Sequence, residues 1–236
     1  MHTPVATFLR SHIVWEEECK RWVESQASDL AASSVAIGGL FFGDWLPTLS
    51  RAVGVHGHVF GFEPSTENVR MCRATIDANR LHNVHVVNAG ISNYTGALRL
   101  CLRPAATQAG SRIDGHTPAA PVQQLGGASH VVTDAGEGCA QLEEIPSITL
   151  DDTVPWRTSR VSLVLLDVEG HEVPALHGAR ALIERWKPTL MLEHDHLDYV
   201  APHGYMRHPR LKTCRVKSSA HSKQVALHIY VPEHPV

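Results

Sequence analysis

Acidic and amide side chains close four of the five short apolar runs that read as core strands in this 236-residue chain. The run ends are Ile37-Gly38-Gly39, Phe62-Glu63-Pro64, Val87-Asn88-Ala89, Leu166-Asp167-Val168-Glu169-Gly170 and Leu192-Glu193-His194. The densest is Asp167-Val168-Glu169-Gly170-His171-Glu172, with three carboxylates in six residues after an apolar strand. Placing such groups beside buried backbone is costly unless they meet partners. The cluster therefore points to a site for a cation, for hydrogen-bond donors or for a hydroxyl. Glu172, at the foot of the next helix, is read as a helix-terminal acid. Glu63 can accept from both hydroxyls of a ribose, because both carboxylate oxygens accept and the bonds are charge-assisted. It follows Gly38 by 25 positions, close to the spacing of a nucleotide fold. Gly38 and Gly39 lack Cβ atoms, which lets backbone approach a ligand closely. The stretch Gly38-Gly39-Leu40-Phe41-Phe42-Gly43 is not G-x-G-x-x-G, which argues against a dinucleotide site. His194-Asp195-His196 offers two ring ligands, but the sequence names no third, so no metal is expected. His194 is read as a base or a polar wall, and Trp45 and Phe62 as rings for stacking or for the core.

These groups need strands that end side by side. Ser33–Gly39, His58–Phe62, Asn83–Asn88, Val161–Val168 and Thr189–Glu193 read as strands. Phe8–Glu24, Trp45–Val53, Ser65–Asn79 and Pro174–Trp186 read as helices, Ser65 capping the third. Such alternation predicts a doubly wound, mostly parallel α/β sheet with helices on both faces. Ligands of such sheets sit at the carboxyl ends of the strands. Leu211–Val216 and Gln224–Val231 add a C-terminal antiparallel hairpin. Ala97–Leu102 alternates and is placed outside the core set, and Ser147–Leu150 is a short strand or turn. Residues 1–30 are read as a helical cap, residues 31–236 as one domain, and residues 105–138, rich in Gly, Ala, Ser, Thr and Pro, as a loop or lid insertion.

Composition narrows the function classes. Hydrophobic residues make up 43%, charged residues 19%, and the net charge is −3, so nucleic acid is not an expected partner. No window is long and apolar enough for a membrane span, and no leader pattern opens the chain, so a cytoplasmic protein is expected. Five widely spaced cysteines without a C-x-x-C pair are read as reduced, idle thiols. Most of the 17 histidines are read as surface residues.

The segments Phe62-Glu63-Pro64-Ser65 with Asn68, and Asn79-Arg80-Leu81-His82-Asn83-Val84, resemble the FkbM family of S-adenosylmethionine (SAM)-dependent methyltransferases. Leu150-Asp151-Asp152, Leu166 to Glu172, Leu176-His177-Gly178-Ala179 and Pro188 to Glu193 are similar to its second block. The resemblance runs from Val35 to Glu193. It implies a class I methyltransferase (Rossmann-like) fold, SAM as cofactor, and O-methylation of a small-molecule or sugar hydroxyl. Gly38, Gly39, Glu63, Asn88 and Asp167 would then hold the cofactor, and Asp167, Glu169 and His194 are the candidate bases. Where that family has an acid at the end of the first strand this chain has Ala36, with Asp44 as a candidate substitute. Two rival readings are a catalytically silent SAM-binding module and a nucleotide-cofactor oxidoreductase. The acceptor and the oligomeric state stay open.

Overall fold

The computed structural model describes residues 16–104, 130–132, 139–215 and 226–234. Its centre is β1 (Ser34–Gly38), β2 (His58–Phe62), β3 (Val84–Val87), β8 (Val161–Leu166) and β9 (Thr189–Leu192). These five run parallel in the order β9-β8-β1-β2-β3. β10 (Tyr205–Arg207), β11 (Thr213–Arg215) and β12 (Ala226–Pro232) extend the β9 edge, with β12 antiparallel to β9, β10 and β11. The expected doubly wound sheet and its antiparallel C-terminal pair are therefore present. Chain order turns back at β1, so β1 and β8 flank the switch point where such sheets bind ligands.

Every residue of β1 and β8 is buried. Successive side chains of a strand point to opposite faces. Accordingly Val35, Ile37, Leu163 and Leu165 join one core cluster, and Ala36, Val164 and Leu166 join the other. The first cluster is closed by α1 (Glu17–Ser25), by α2 (Ala27–Leu30) and by α3 (Leu46–Val53), which begins with Pro47 in its first turn and stops at Gly54. On α4 (Thr66–Asn79) the expected cap is present, with the Asn68 amide donating to Ser65 Oγ at 3.4 Å. The second cluster is covered by α5 (Leu150–Thr153), α6 (Glu172–His177), α7 (Arg180–Trp186) and α8 (Leu197–Val200). The single helix expected over 174–186 is two, broken at Gly178-Ala179.

A second sheet was not foreseen. β4 (Gly90–Ile91), β5 (Gly96–Pro104), β6 (His130–Val132) and β7 (Cys139–Ile148) pair in the order β4-β7-β5-β6. The sequence marks only the end of β7, because Gln141-Leu142-Glu143-Glu144 is exposed throughout and carries no alternation. Within the segment expected as a lid, His130–Val132 is a strand, and residues 105–129 and 133–138 lie outside the described residues, as do residues 1–15 of the expected cap. No helix among the described residues is long and apolar enough to cross a membrane.

The expectation of five idle thiols is corrected. Cys19 on α1 is bonded to Cys214 on β11, and Cys101 on β5 to Cys139 on β7. Linear spacing hides these pairs because the fold, not the sequence, makes them neighbours. A link across 195 residues removes on the order of 5 kcal/mol of unfolded-chain entropy. Two disulfides also suit an oxidising environment better than the reducing one inferred from spacing. Mass spectrometry of unreduced, denatured protein should find one alkylatable thiol, Cys72. Five alkylatable thiols would remove both bonds from the account.

Candidate active site at the strand ends

The first residue past each central strand continues the backbone ladder. Gly39 donates to Phe62 O (3.0 Å), Glu63 to Val87 O (3.1 Å), Asp167 to Gly38 O (3.0 Å) and Glu193 to Leu166 O (3.0 Å). Sheet pairing thus sets Glu63, Gly39, Asp167 and Glu193 in one row across four strand ends. At Gly39, φ is +80°, and a Cβ would stand 1.7 Å from the Asp167 carbonyl oxygen, so only glycine permits this approach. Beside it, the space a side chain on Gly38 would take is filled by Ile91 and Val168.

The row gathers more negative charge than the protein neutralises. Asp167 is half-buried, and its carboxyl lies beside that of Glu193. Burial, then the charges of Glu16 and Glu193, hold Asp167 well above the usual carboxylate range. Glu16 enters this group from the start of α1. It is buried and accepts a hydrogen bond from Trp45 Nε1. Burial first, and Asp44 second, push Glu16 up to about 7. Asp44 does not substitute freely for an acid on β1, since Lys20 Nζ holds its Oδ2 at 2.5 Å.

Glu63 is 4% exposed and faces three donors. Its Oε2 accepts from the Phe41 amide (2.9 Å), and its Oε1 from the Ser65 amide (2.9 Å) and Asn68 Nδ2 (3.1 Å). Burial outweighs these bonds and leaves its carboxyl raised. The carboxylate thereby ties the turn after β1 to the turn after β2. Oε1 already accepts two donors, so a further donor would be received at Oε2. Asn68 Oδ1, buried in the same place, has no partner among the described residues. Asn88 braces this turn from below, donating to Glu63 O (2.9 Å) and Pro64 O (2.8 Å) and accepting from Thr66 Oγ1 (3.0 Å).

Beyond the row, the chain after β8 makes a strained turn. Glu169 has φ 52° and Gly170 φ 91°, and non-glycine residues rarely adopt such values without a functional or packing reason. Glu193 Oε2 fixes the turn by accepting the Glu169 amide at 3.1 Å. The Glu169 side chain is left exposed at the rim. Partial desolvation and the neighbouring Glu193 raise it to about 7, a value suited to proton transfer near neutral pH. Glu172 is wholly buried and accepts the Gly170 amide at 3.2 Å, which bears out its reading as a helix-terminal acid. It also faces His194 and His196.

The structure brings Gly38, Gly39, Glu63 and Asp167 together and sets Glu169 and His194 at the rim. Asn88 stands behind them as a brace. Trp45 and Phe62 are core residues, at 3% and 1% exposure. Two residues were missed. Glu193 was visible as a strand-end acid and was not given a role. Glu16 looked like one more polar position on an amphipathic helix, and only the docking of α1 brings it to the strand ends.

The family described as the methyltransferase FkbM domain matches residues 36–208. No curated protein matches the chain. A methyltransferase FkbM from Methylobacillus flagellatus superposes with a TM-score of 0.51 at 16% identity, over 84% of this chain and 43% of that one. This chain therefore spans less than half of that protein. A precorrin-6y C5,15-methyltransferase from Geobacter metallireducens gives 0.47 at 13% identity, over 91% and 87% of the two chains. An rRNA methylase from Streptococcus thermophilus gives 0.46 at 8% identity, over 98% and 97%.

Proposed function

The chain belongs to the FkbM methyltransferase domain family, and from that premise we propose that it is a SAM-dependent methyltransferase that methylates a hydroxyl of a small molecule or sugar. The residues at the strand ends fit the cofactor. A glycine cradle, a ribose-type carboxylate beside the unpartnered Asn68 Oδ1, and an excess of carboxyls suited to cationic groups lie in one row. When bound, SAM supplies an electrophilic methyl group on a sulfonium. Glu63 would accept from the ribose hydroxyls, and Asp167, Glu193 and Glu16 would receive the α-ammonium. Gly38 and Gly39 shape the floor, and Asn88 keeps Glu63 in place.

The observation that carries the hydroxyl reading is the Glu169 turn. There an exposed carboxyl stands just past the strand-end row, on a backbone that Glu193 holds through the Glu169 amide. An alcohol must lose its proton as its oxygen bonds to the methyl carbon and the carbon–sulfur bond breaks, and a positioned carboxylate takes that proton. Asp167 is the weaker candidate for this role because it lies half-buried in the row, whereas Glu169 stands exposed at the rim. His194, half exposed near the same rim, lines the acceptor side. In-line transfer depends above all on alignment, which a rigid strand-end row provides.

The test is methyl-labelled SAM offered with hydroxylated small molecules, free sugars and an RNA transcript. Label in a methyl ether on a hydroxyl is the expected result. Label in RNA alone, or on carbon, would overturn the proposed acceptor class. Cofactor binding without transfer to any acceptor would return the chain to a silent binding module.

A further inference from the structure

The contacts of Glu172 go beyond capping a helix. Its side chain is wholly buried, and no lysine or arginine among the described residues reaches it within ion-pair distance. A carboxylate in such a place needs a positive partner. What faces it are two imidazole nitrogens, His194 Nδ1 at 3.4 Å from Oε1 and His196 Nε2 at 3.2 Å from Oε2. Donor atoms from all three residues lie within 4.8 Å of one another. Ligands about 2.1 Å from a tetrahedral ion stand roughly 3.4 Å apart. We propose that Glu172, His194 and His196 form a binding site for a divalent first-row transition ion such as Zn²⁺.

Two nitrogens and one carboxylate oxygen make a donor set for zinc-like or iron-like ions, whereas calcium and magnesium prefer all-oxygen shells. An ion between these groups would take the lone pairs of both ring nitrogens and one carboxylate oxygen. The loop that carries the histidines is held in place. The His196 amide donates to Tyr230 Oη (2.8 Å), and Tyr230 Oη donates to Asp195 Oδ1 (2.7 Å). Arg207 grips Asp195 Oδ2 at 2.5 Å, and Asp195 Oδ1 accepts the Leu197 amide at 3.2 Å. Such outer contacts orient metal ligands. The side chain of His194 is 53% exposed, so the remaining coordination position opens to solvent. The sequence could not supply this third ligand. Glu172 lies 22 positions before His194, and only the parallel pairing of β8 with β9 makes them neighbours.

The experiment uses the full chain, stripped with EDTA and freed of chelator, then titrated with ZnCl₂ by calorimetry and with CoCl₂ by visible absorption. One saturable ion per chain is expected, with the absorption bands of Co²⁺ in a low-symmetry site. His194→Ala and His196→Ala should each weaken Zn²⁺ binding by at least about tenfold, as ligand loss costs no less than loss of an outer partner. His85→Ala is the control, because His58 and His85 place ring nitrogens 3.2 Å apart on the β2–β3 side. It should leave the affinity unchanged. Glu172→Gln tests the third ligand and is read by binding only where circular dichroism shows the native fold. The two histidine variants decide the matter otherwise. No stoichiometric binding by the wild type would overturn the site. So would binding that ignores both His194→Ala and His196→Ala, or binding lost on His85→Ala alone. These readouts need neither SAM nor an acceptor, so the inference stands apart from the proposed reaction.

Discussion

Glu169→Gln is expected to lower kcat by roughly 100-fold, the scale of a lost general base. SAM affinity should stay within about twofold, because the base acts on the acceptor's proton in the transition state rather than on the bound cofactor. Glutamine keeps the volume of the side chain, and the turn survives because Glu193 holds it through the Glu169 amide rather than the carboxyl. Asp167→Asn should show the opposite split. Asparagine can still donate to Glu193, so the row keeps its shape, but one acid that would receive the cofactor's ammonium is gone. Its main effect should therefore be weaker SAM binding. Single-turnover rates and calorimetry on both variants separate the two roles. A kcat loss confined to Asp167→Asn would reverse them.

Glu63→Ala should weaken SAM binding by on the order of 1.5–3 kcal/mol, the value of a hydrogen bond to a charged group. That corresponds to roughly tenfold to 150-fold in the dissociation constant. The structure adds a second consequence. Removing the carboxylate strands the Phe41 and Ser65 amides and Asn68 Nδ2, which now donate to it. Unpaired buried donors cost about 1–3 kcal/mol each, so the variant should also melt earlier. Affinity is therefore read at a temperature where circular dichroism shows the native fold. Unchanged affinity there would make Glu63 a brace alone.

What the sequence disclosed follows from what local pattern encodes. β1 and β8 are continuous apolar runs because both of their faces are covered, and such runs are legible without any partner. Each strand end then points to its own terminal residue, which is how Gly39, Glu63 and Asp167 came to notice. Residues whose role depends on distant docking were not legible. Glu16 reaches the site only because α1 packs on α3, where Trp45 meets it. Cys19 finds Cys214 for the same reason, at the far end of the chain. β7 was hidden because its stretch Gln141-Leu142-Glu143-Glu144 is exposed on both faces and has no hydrophobic period to read. Asn88 was noticed at the correct place, but the sequence cannot say that its amide faces the Glu63-Pro64 turn.

The central claim is that an undercompensated acid group at the strand ends receives the cationic cofactor. Glu16 carries a folded-state pKa of about 7, raised above its unfolded value, and Asp167 is raised as well. A raised acid contributes stability that is present below its unfolded pKa and is lost as pH rises through its folded pKa. The cofactor-free protein should therefore melt lower at about pH 8 than at about pH 6. A bound cation favours the ionised carboxyls and drives their protons off. The direct measurement is calorimetric titration with SAM at about pH 6 and about pH 8, in buffers of different ionisation heat. The account predicts one site per chain, tighter binding at the higher pH, and net proton release near neutrality. Absence of SAM binding, or tighter binding with proton uptake at the lower pH, would contradict it.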